Sequence, residues 1–222
     1  MNKDKKHSEE YIVSQKKIIL AEGNDAKWFL IWALEAYKIE NIQVIDFKNI
    51  ENLDEAIKEL KATNPFGFPE VTSIIIARDV ENKPNTNFKS VLDSINNTLK
   101  NNNLSTVKKP FDFNTSTPKI AIILFPCYDE NKNIPNGCLE DLCLKIIKDD
   151  NNLIEATENY LLDIENNYNH KLTHRHKSKL HAYFSIKSKS FIGARISEAG
   201  NRGAFDWQSK HLDSIKQLLK NI

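Results

Sequence analysis

Residues 16–38 have the sequence KKIILAEGNDAKWFLIWALEAYK, and this stretch indicates the fold class. Its apolar run stops at Gly23, and apolar residues then recur at helical spacing, which predicts a strand, a tight turn and a helix. Two further runs, IQVIDF (42–47) and TSIIIARD (72–79), are separated by a helical segment. The middle of the second run is entirely apolar, as in strands covered on both faces. This alternation predicts a parallel α/β sheet.

The chain beyond these strands adds one more strand and then becomes helical. KIAIILFP (119–126) predicts a fourth buried strand that ends at its proline. A helix is predicted near residues 87–104, and helical patterns fill the chain from Gly137 onward, the last of them beginning after Asp206 as its N-cap. The predicted fold is therefore α/β, a mostly parallel sheet of about four strands flanked by helices, with a C-terminal helical extension.

Three regions follow from this pattern. We expect a flexible N-terminus over residues 1–15, an α/β core over 16–130, and a helical portion over 131–222 that packs on the same domain. No stretch approaches the roughly 18 apolar residues that a membrane span needs, and the N-terminus lacks the apolar region of a signal peptide. We therefore expect a cytoplasmic protein without membrane contact.

The charge balance and the cysteines exclude several classes of protein. Lys and Arg total 31 against 30 for Asp and Glu, so the net charge of +1 gives no overall attraction to nucleic acid, and any such surface must be local. Cys127, Cys138 and Cys143 are odd in number and lack both CxxC spacing and a His at zinc-finger spacing. This argues against a disulfide framework or a structural zinc and predicts reduced thiols.

Carboxylates follow the predicted strands at the end where each strand stops. Glu22 follows the first strand, Asp79 and Glu81 follow the third, and the fourth runs into Asp129 and Glu130. Ligands of parallel α/β sheets bind outside the carboxyl ends of the strands, and Mg²⁺ and Mn²⁺ prefer carboxylate oxygens. A helix cap or a solvated loop explains each residue alone. Their joint occurrence predicts a cluster that binds a divalent metal ion.

Five segments of the chain resemble a known family: ILAEGNDAKWF (19–29), IIIARDVEN (74–82), GCLEDL (137–142), HKSKLHAYFS (176–185) and GAFDW (203–207). The first two resemble the motifs of TOPRIM domains, a strand ending in Glu-Gly and a strand ending in Asp-x-Asp. The other three resemble segments of small stand-alone TOPRIM-like proteins related to the TOPRIM part of OLD-type nucleases. The resemblance implies a TOPRIM-like, Rossmann-like fold and phosphodiester chemistry on DNA or RNA that depends on Mg²⁺ or Mn²⁺.

The resemblance also implies roles for single residues. The motif-one Glu of TOPRIM sites transfers protons, here Glu22, and the acidic pair binds the metal, here Asp79 with Glu81 in place of the second Asp. OLD-type sites add acidic residues and a lysine that complete a two-metal arrangement. The matching candidates are Asp25, Glu140 and either Lys177 or Lys179. Two metal ions can neutralise charge on a phosphate and activate water.

Segment 166–195 carries only positive charge, with seven Lys or Arg, four His and no acidic residue. Its interleaved aromatic residues suit a surface that follows a phosphate backbone, although a solvated helix face explains the pattern as well. A metal site made of the His residues at 170, 174 and 176 is disfavoured because no acidic residue or Cys lies close in sequence. The candidate nucleic-acid contacts are Lys171, Arg175, Lys187 and Lys189.

Three functions remain open at this point. The first is a metal-dependent nuclease or phosphotransferase. The second is a non-catalytic module that binds nucleotides or nucleic acid, with a protein partner, as a subunit of a defence or repair assembly. The third is a receiver-like domain with Asp79 as phospho-acceptor. The sequence lacks GxxxxGK[ST] and a GxGxxG after the first strand, which disfavours P-loop NTPases and Rossmann dehydrogenases.

Overall fold

A computed structural model describes residues 13–63, 70–129, 131–148, 151–168 and 170–222. Its centre is a four-stranded sheet in which every pair of neighbouring strands is parallel. The strand order is β2-β1-β3-β4, so β1 and β3 lie side by side in the middle. The strands are β1 Lys17–Ala21, β2 Ile42–Asp46, β3 Ser73–Asp79 and β4 Lys119–Phe125. The predicted parallel α/β sheet of about four strands is confirmed.

Helices pack around this sheet and make up most of the chain after β4. Within the described ranges they are α1 Asn24–Ala36, α2 Leu53–Thr63, α3 Phe88–Asn101, α4 Leu139–Lys145, α5 Asn151–Asn167, α6 Arg175–Lys187, α7 Ile196–Asn201 and α8 Asp213–Lys220. None of these helices is both long enough and apolar enough to cross a bilayer. The apolar strands β3 and β4 are buried along almost their whole length, because helices cover the sheet.

Two C-terminal helices differ from the prediction, one in where it begins and one in being absent from it. Asp206 does not cap the last helix, because its Oδ1 accepts a hydrogen bond from the Gln208 amide within a turn, and α8 begins only at Asp213. Helix α7 was not predicted from the sequence, because its six residues are too few for a clear period. Of the predicted flexible segment 1–15, only residues 13–15 lie within the described ranges, and Glu130 lies outside them.

Helix α7 packs closely on α1 and so connects the C-terminal helices to the sheet. The Trp32 indole Nε1 donates a hydrogen bond of 2.9 Å to the Ser197 carbonyl oxygen. Gly200 lies beneath the same ring, where an added Cβ would come within 2.5 Å of Trp32 Cδ1. The contact therefore requires a residue without a side chain at position 200.

We expect Gly200→Ala to lower the free energy of unfolding by about 1–3 kcal/mol, because the new methyl group overpacks the contact with Trp32. A Gly→Ala change at an exposed helical position would instead stabilise the protein by about 1 kcal/mol. The sign of the change in the free energy of unfolding therefore distinguishes a packed from an exposed Gly200. Urea unfolding measures the difference. Asn201→Ala, at the exposed next position of the same helix, is the matched control and should stay within about 0.5 kcal/mol of wild type. A stabilised Gly200→Ala variant would contradict the described packing.

Candidate metal centre

The turn after β1 places Glu22 and Asp25 at the carboxyl end of the sheet. The Glu22 amide donates a hydrogen bond to the Ala77 carbonyl of β3, which holds the two strands together at this end. Gly23 follows with φ of 86°, a conformation that favours glycine, and its amide donates to Asp46 Oδ1 at the end of β2. Helix α1 then begins at Asn24, so Asp25 lies in its first turn.

The end of β3 is joined to the start of α4. Asp79 is the last residue of β3, and its Oδ1 accepts a hydrogen bond of 2.9 Å from the Leu139 amide. The Glu81 amide donates to the Gly137 carbonyl oxygen at 2.6 Å, which fixes the same loop a second time. These two bonds bring Glu140, a buried carboxylate of α4, next to Asp79.

A cavity of about 320 Å³ lies where these segments meet. Because β1 and β3 are neighbours and their onward connections run in opposite directions, the cavity occupies the position at which α/β sheets commonly bind ligands. Five of the seven residues predicted to bind metal or act in catalysis line it. These are Glu22, Asp25, Asp79, Glu140 and Lys177.

The two remaining predicted residues lie outside the cavity lining. Glu81 turns away from β3 with φ of 72°, and its carboxylate forms an ion pair with Lys83 at 3.0 Å. Its charge is still close enough to raise the pKa of Glu22, although less than burial does. Lys179 is bound to Glu158 at 2.8 Å and lines a different cavity. Of the two lysines that the sequence left as alternatives, Lys177 lines the cavity and Lys179 does not.

Two further cavity residues, His181 and Arg195, were not predicted as part of this site. His181 lies four residues after Lys177 in α6, so both belong to one helical face, and this spacing was a usable signal. Arg195 immediately precedes α7, the helix that the sequence pattern does not predict. The cavity therefore combines four carboxylates with the cationic groups Lys177 and Arg195 and an imidazole.

Burial is the largest influence on three of the carboxylates, and the pKa of each is raised as a result. It raises the pKa of Asp79 well above its ordinary value, and the neighbouring Glu140 raises it further. Burial, followed by Glu140, also raises the pKa of Asp25. The pKa of Glu22 is raised by burial as well, although Arg78 opposes this through an ion pair of 3.0 Å between Arg78 Nε and Glu22 Oε2. A nearby cation would relieve the cost of keeping these groups ionised.

Glu140 behaves differently because it already has partners. Burial alone would raise its pKa, but a hydrogen bond from the Cys138 thiol and the charge of Lys177 outweigh burial, so the pKa is lowered. Lys177 Nζ lies 3.1 Å from Glu140 Oε1, with the carboxylate side chain 7% exposed and the lysine side chain 51% exposed. Glu140 is thus ionised at neutral pH and is held in place by an ammonium group that reaches solvent.

The residues of the cavity fit a hard divalent cation. Asp25 Oδ1 is buried, and within the part of the chain that the structure describes no hydrogen-bond partner reaches it. One carboxylate oxygen of Asp79 and one of Glu140 lie within 4.8 Å of each other, and the sulfur of Cys138 lies within the same distance of both. A buried carboxylate oxygen without a partner beside two more carboxylates is the donor set that Mg²⁺ or Mn²⁺ prefers.

The predicted nucleic-acid contacts differ in how accessible they are. Arg175 is held by two carboxylates, with Nη2 at 2.5 Å from Glu158 and Nε at 2.9 Å from Glu165. Lys187 donates to the Tyr183 hydroxyl at 2.7 Å and is half-buried. Lys171 and Lys189 are exposed. Lys171 and Lys189 are therefore more accessible to a phosphate backbone than Arg175 and Lys187 are.

The raised pKa of Asp79 predicts a pH-dependent effect of Asp79→Asn in protein without metal. A carboxylate whose folded-state pKa is raised contributes stability below its unfolded pKa and loses that contribution as pH rises through the folded value. The variant cannot ionise, and its amide oxygen can still accept from Leu139. The free energy of unfolding of the variant relative to wild type should therefore increase as pH rises.

Urea unfolding in EDTA at several pH values measures this difference. Asp93→Asn, at an exposed position of α3, is the control for the chemical change itself. Added Mg²⁺ should stabilise wild type more than Asp79→Asn, because the cation binds the folded state. A relative stability of Asp79→Asn that decreases with rising pH would contradict the described burial.

One family model matches most of the chain, and several solved structures are similar to it. No curated protein matches the chain. Among solved structures it is similar to the C-terminal region of the OLD protein of Xanthomonas campestris pv. campestris, with 11% identity and a TM-score of 0.47 over 95% of this chain and 96% of that one. It is also similar to the C-terminal region of the Burkholderia pseudomallei OLD protein, with 11% identity and a TM-score of 0.43 over 94% and 98% of the two chains. A family model matches residues 16–222, and the chain therefore belongs to DUF3226, a family described as a protein of unknown function.

Proposed function

We propose that this protein carries out metal-dependent phosphodiester chemistry on nucleic acid in the cytoplasm, in the manner of a TOPRIM nuclease. The observation that carries the proposal is the cavity at the ends of β1 and β3, where Glu22, Asp25, Asp79 and Glu140 meet beside Lys177. The sequence motifs resemble TOPRIM motifs at these same positions. The acidic side chains come from three separate parts of the chain, which helix capping does not explain.

Asp25, Asp79 and Glu140 are the residues that would bind Mg²⁺ or Mn²⁺. When bound, such a cation neutralises charge on phosphate oxygens and lowers the pKa of coordinated water. Asp79 is oriented for this role by the Leu139 amide, and Glu140 is oriented by Lys177. Both carboxylates therefore have fixed positions before any ligand arrives, which reduces the cost of binding.

The basic residues of the cavity would bind the phosphate. Lys177 is half-exposed and lies beside Glu140, and Arg195 and His181 line the same cavity. Cationic groups fixed near a reacting phosphate stabilise the charge that develops on its oxygens. Glu22 would transfer the proton, because burial raises its pKa while Arg78 holds its orientation.

We expect purified protein to cleave DNA or RNA in the presence of Mn²⁺ or Mg²⁺ and to lose this activity in EDTA. Asp79→Asn and Glu140→Gln should each lower the rate by about 10²-fold or more, since each removes an electrostatic contact to the reacting groups. The measurement is the cleavage rate of supercoiled plasmid, single-stranded DNA and RNA. Full activity in both variants would exclude this cavity as the active site.

Lys177 and Lys179 form a matched pair for a second test. Both lie in α6, but only Lys177 lines the cavity, whereas Lys179 is bound to Glu158. Lys177→Met should lower the cleavage rate by about 10²-fold. Lys179→Met removes the same charge and should retain a rate close to that of wild type. Equal losses in the two variants would indicate a general charge effect.

A second function is a binding module without catalysis, acting on nucleotides or nucleic acid as a subunit of a defence or repair assembly. It is favoured by the ion pairs Glu22–Arg78 and Glu140–Lys177, which compensate two of the four carboxylates without a metal. Calorimetric titration with Mn²⁺ separates the two proposals. Saturable heat that is lost in Asp79→Asn would favour the metal-dependent enzyme, whereas no saturable heat, in protein that also cleaves no polymer, would favour the binding module.

A further inference from the structure

A second cavity, of about 570 Å³, lies between α4, α5 and α6 and shares no lining residue with the first. Asp141 and His176 line it from α4 and α6. Cys138, which is buried, lies directly before α4. The three side chains offer a thiol, a carboxylate and an imidazole, and one ligand atom from each lies within 4.8 Å of the other two.

Backbone geometry fixes the two ligands contributed by α4. The Cys138 amide donates a hydrogen bond of 2.9 Å to Asp141 Oδ2, and Cys138 Sγ lies 3.3 Å from the same oxygen. This close approach depends on Gly137, whose added Cβ would come within 2.8 Å of that oxygen. Gly137 also has φ of 149°, so a side chain there is disfavoured twice. Thiol and carboxylate are thus held together before any ion binds.

Two of the three described Lys and Arg side chains that line this cavity are already paired with a carboxylate. Arg175 and Lys179 form ion pairs with Glu158, at 2.5 and 2.8 Å, and Lys145 is the third. These contacts lower the pKa of Glu158 to about 2, so its negative charge persists across the physiological range. The arginine also binds Glu165. The charges of Arg175 and Lys179 are therefore already compensated.

We propose that Cys138, Asp141 and His176 form a binding site for a thiophilic dication such as Zn²⁺. A ligand set of sulfur, nitrogen and oxygen suits zinc and its spectroscopic substitute Co²⁺, whereas Mg²⁺ prefers oxygen alone. The cavity leaves room for water as the fourth ligand. Binding replaces the thiol proton of Cys138, which leaves to solvent, with a metal–sulfur bond. The ion connects the start of α4 to the first turn of α6 and stabilises the folded chain.

Titration of the full chain with Co²⁺ tests the proposal without any nucleic acid. Wild type should develop the near-ultraviolet absorption of a thiolate–cobalt bond, saturating at one Co²⁺ per chain and disappearing when Zn²⁺ is added. Cys138→Ser should abolish the band. His176→Ala should weaken Co²⁺ binding by at least about tenfold, since removing groups that only orient ligands already costs about 10–100-fold.

His174→Ala is the matched control, because this neighbouring histidine is exposed and lies outside the cluster. It should bind Co²⁺ like wild type, and circular dichroism verifies that each variant is folded. His176→Ala, at a half-buried surface position, tests the site independently of the buried cysteine. Zn²⁺ should also raise the melting temperature of wild type but not of His176→Ala.

Three outcomes would overturn the proposal. Absence of the charge-transfer band in wild type would show that no thiolate binds the ion. A band that persists in Cys138→Ser would assign it to Cys127 or Cys143. A band that His176→Ala leaves unchanged but Asp79→Asn removes would place the ion with Asp79 and Glu140. Because the band is read without substrate, failure here is distinguishable from failure of the nuclease proposal.

Discussion

The hydrogen bond from the Leu139 amide to Asp79 Oδ1 is the interaction on which the site depends. It joins the end of the central strand β3 to a helix that begins some sixty residues later in the chain. It places Glu140, and through the Glu140–Lys177 ion pair also Lys177, beside the carboxylates that follow β1 and β3. The pairing of the Glu81 amide with Gly137 acts in the same place, so two backbone contacts hold one loop.

The site also illustrates how buried charge is tolerated. Four carboxylates share one cavity, and the chain compensates two of them internally, with Arg78 beside Glu22 and Lys177 beside Glu140. Asp79 receives a backbone hydrogen bond, whereas Asp25 Oδ1 has no hydrogen-bond partner among the described residues. This leaves the strongest demand for a positive charge at Asp25 and Asp79. A cation bound at these two residues would lie beside Glu140, whose charge Lys177 already compensates in part.

Much of the fold could be predicted from the sequence, because buried parallel strands have a clear apolar pattern. The proximity of Glu22 and Asp79 could be predicted as well, since both residues lie at the carboxyl ends of strands.

Other features depend on geometry that a sequence pattern does not contain. Lys177 and Lys179 are two residues apart, and only the rotation of α6 decides which one enters the cavity. Glu81 appeared equivalent to Asp79, but a left-handed backbone turn directs its side chain to Lys83. Cys138 lies close to His176 because α4 packs on α6. The number of residues between the two positions does not indicate this.

The packing of Trp32 against α7 has a consequence for observing the protein in solution. Its indole is stacked on that of Trp28, with ring centroids 5.7 Å apart, and is bonded to the backbone of Ser197, two residues after the cavity residue Arg195. Tryptophan emission shifts to longer wavelength when the ring becomes more exposed to water. The chain thus contains a natural optical reporter for any displacement of this wall of the cavity, and stopped-flow fluorescence can follow ligand entry without a label.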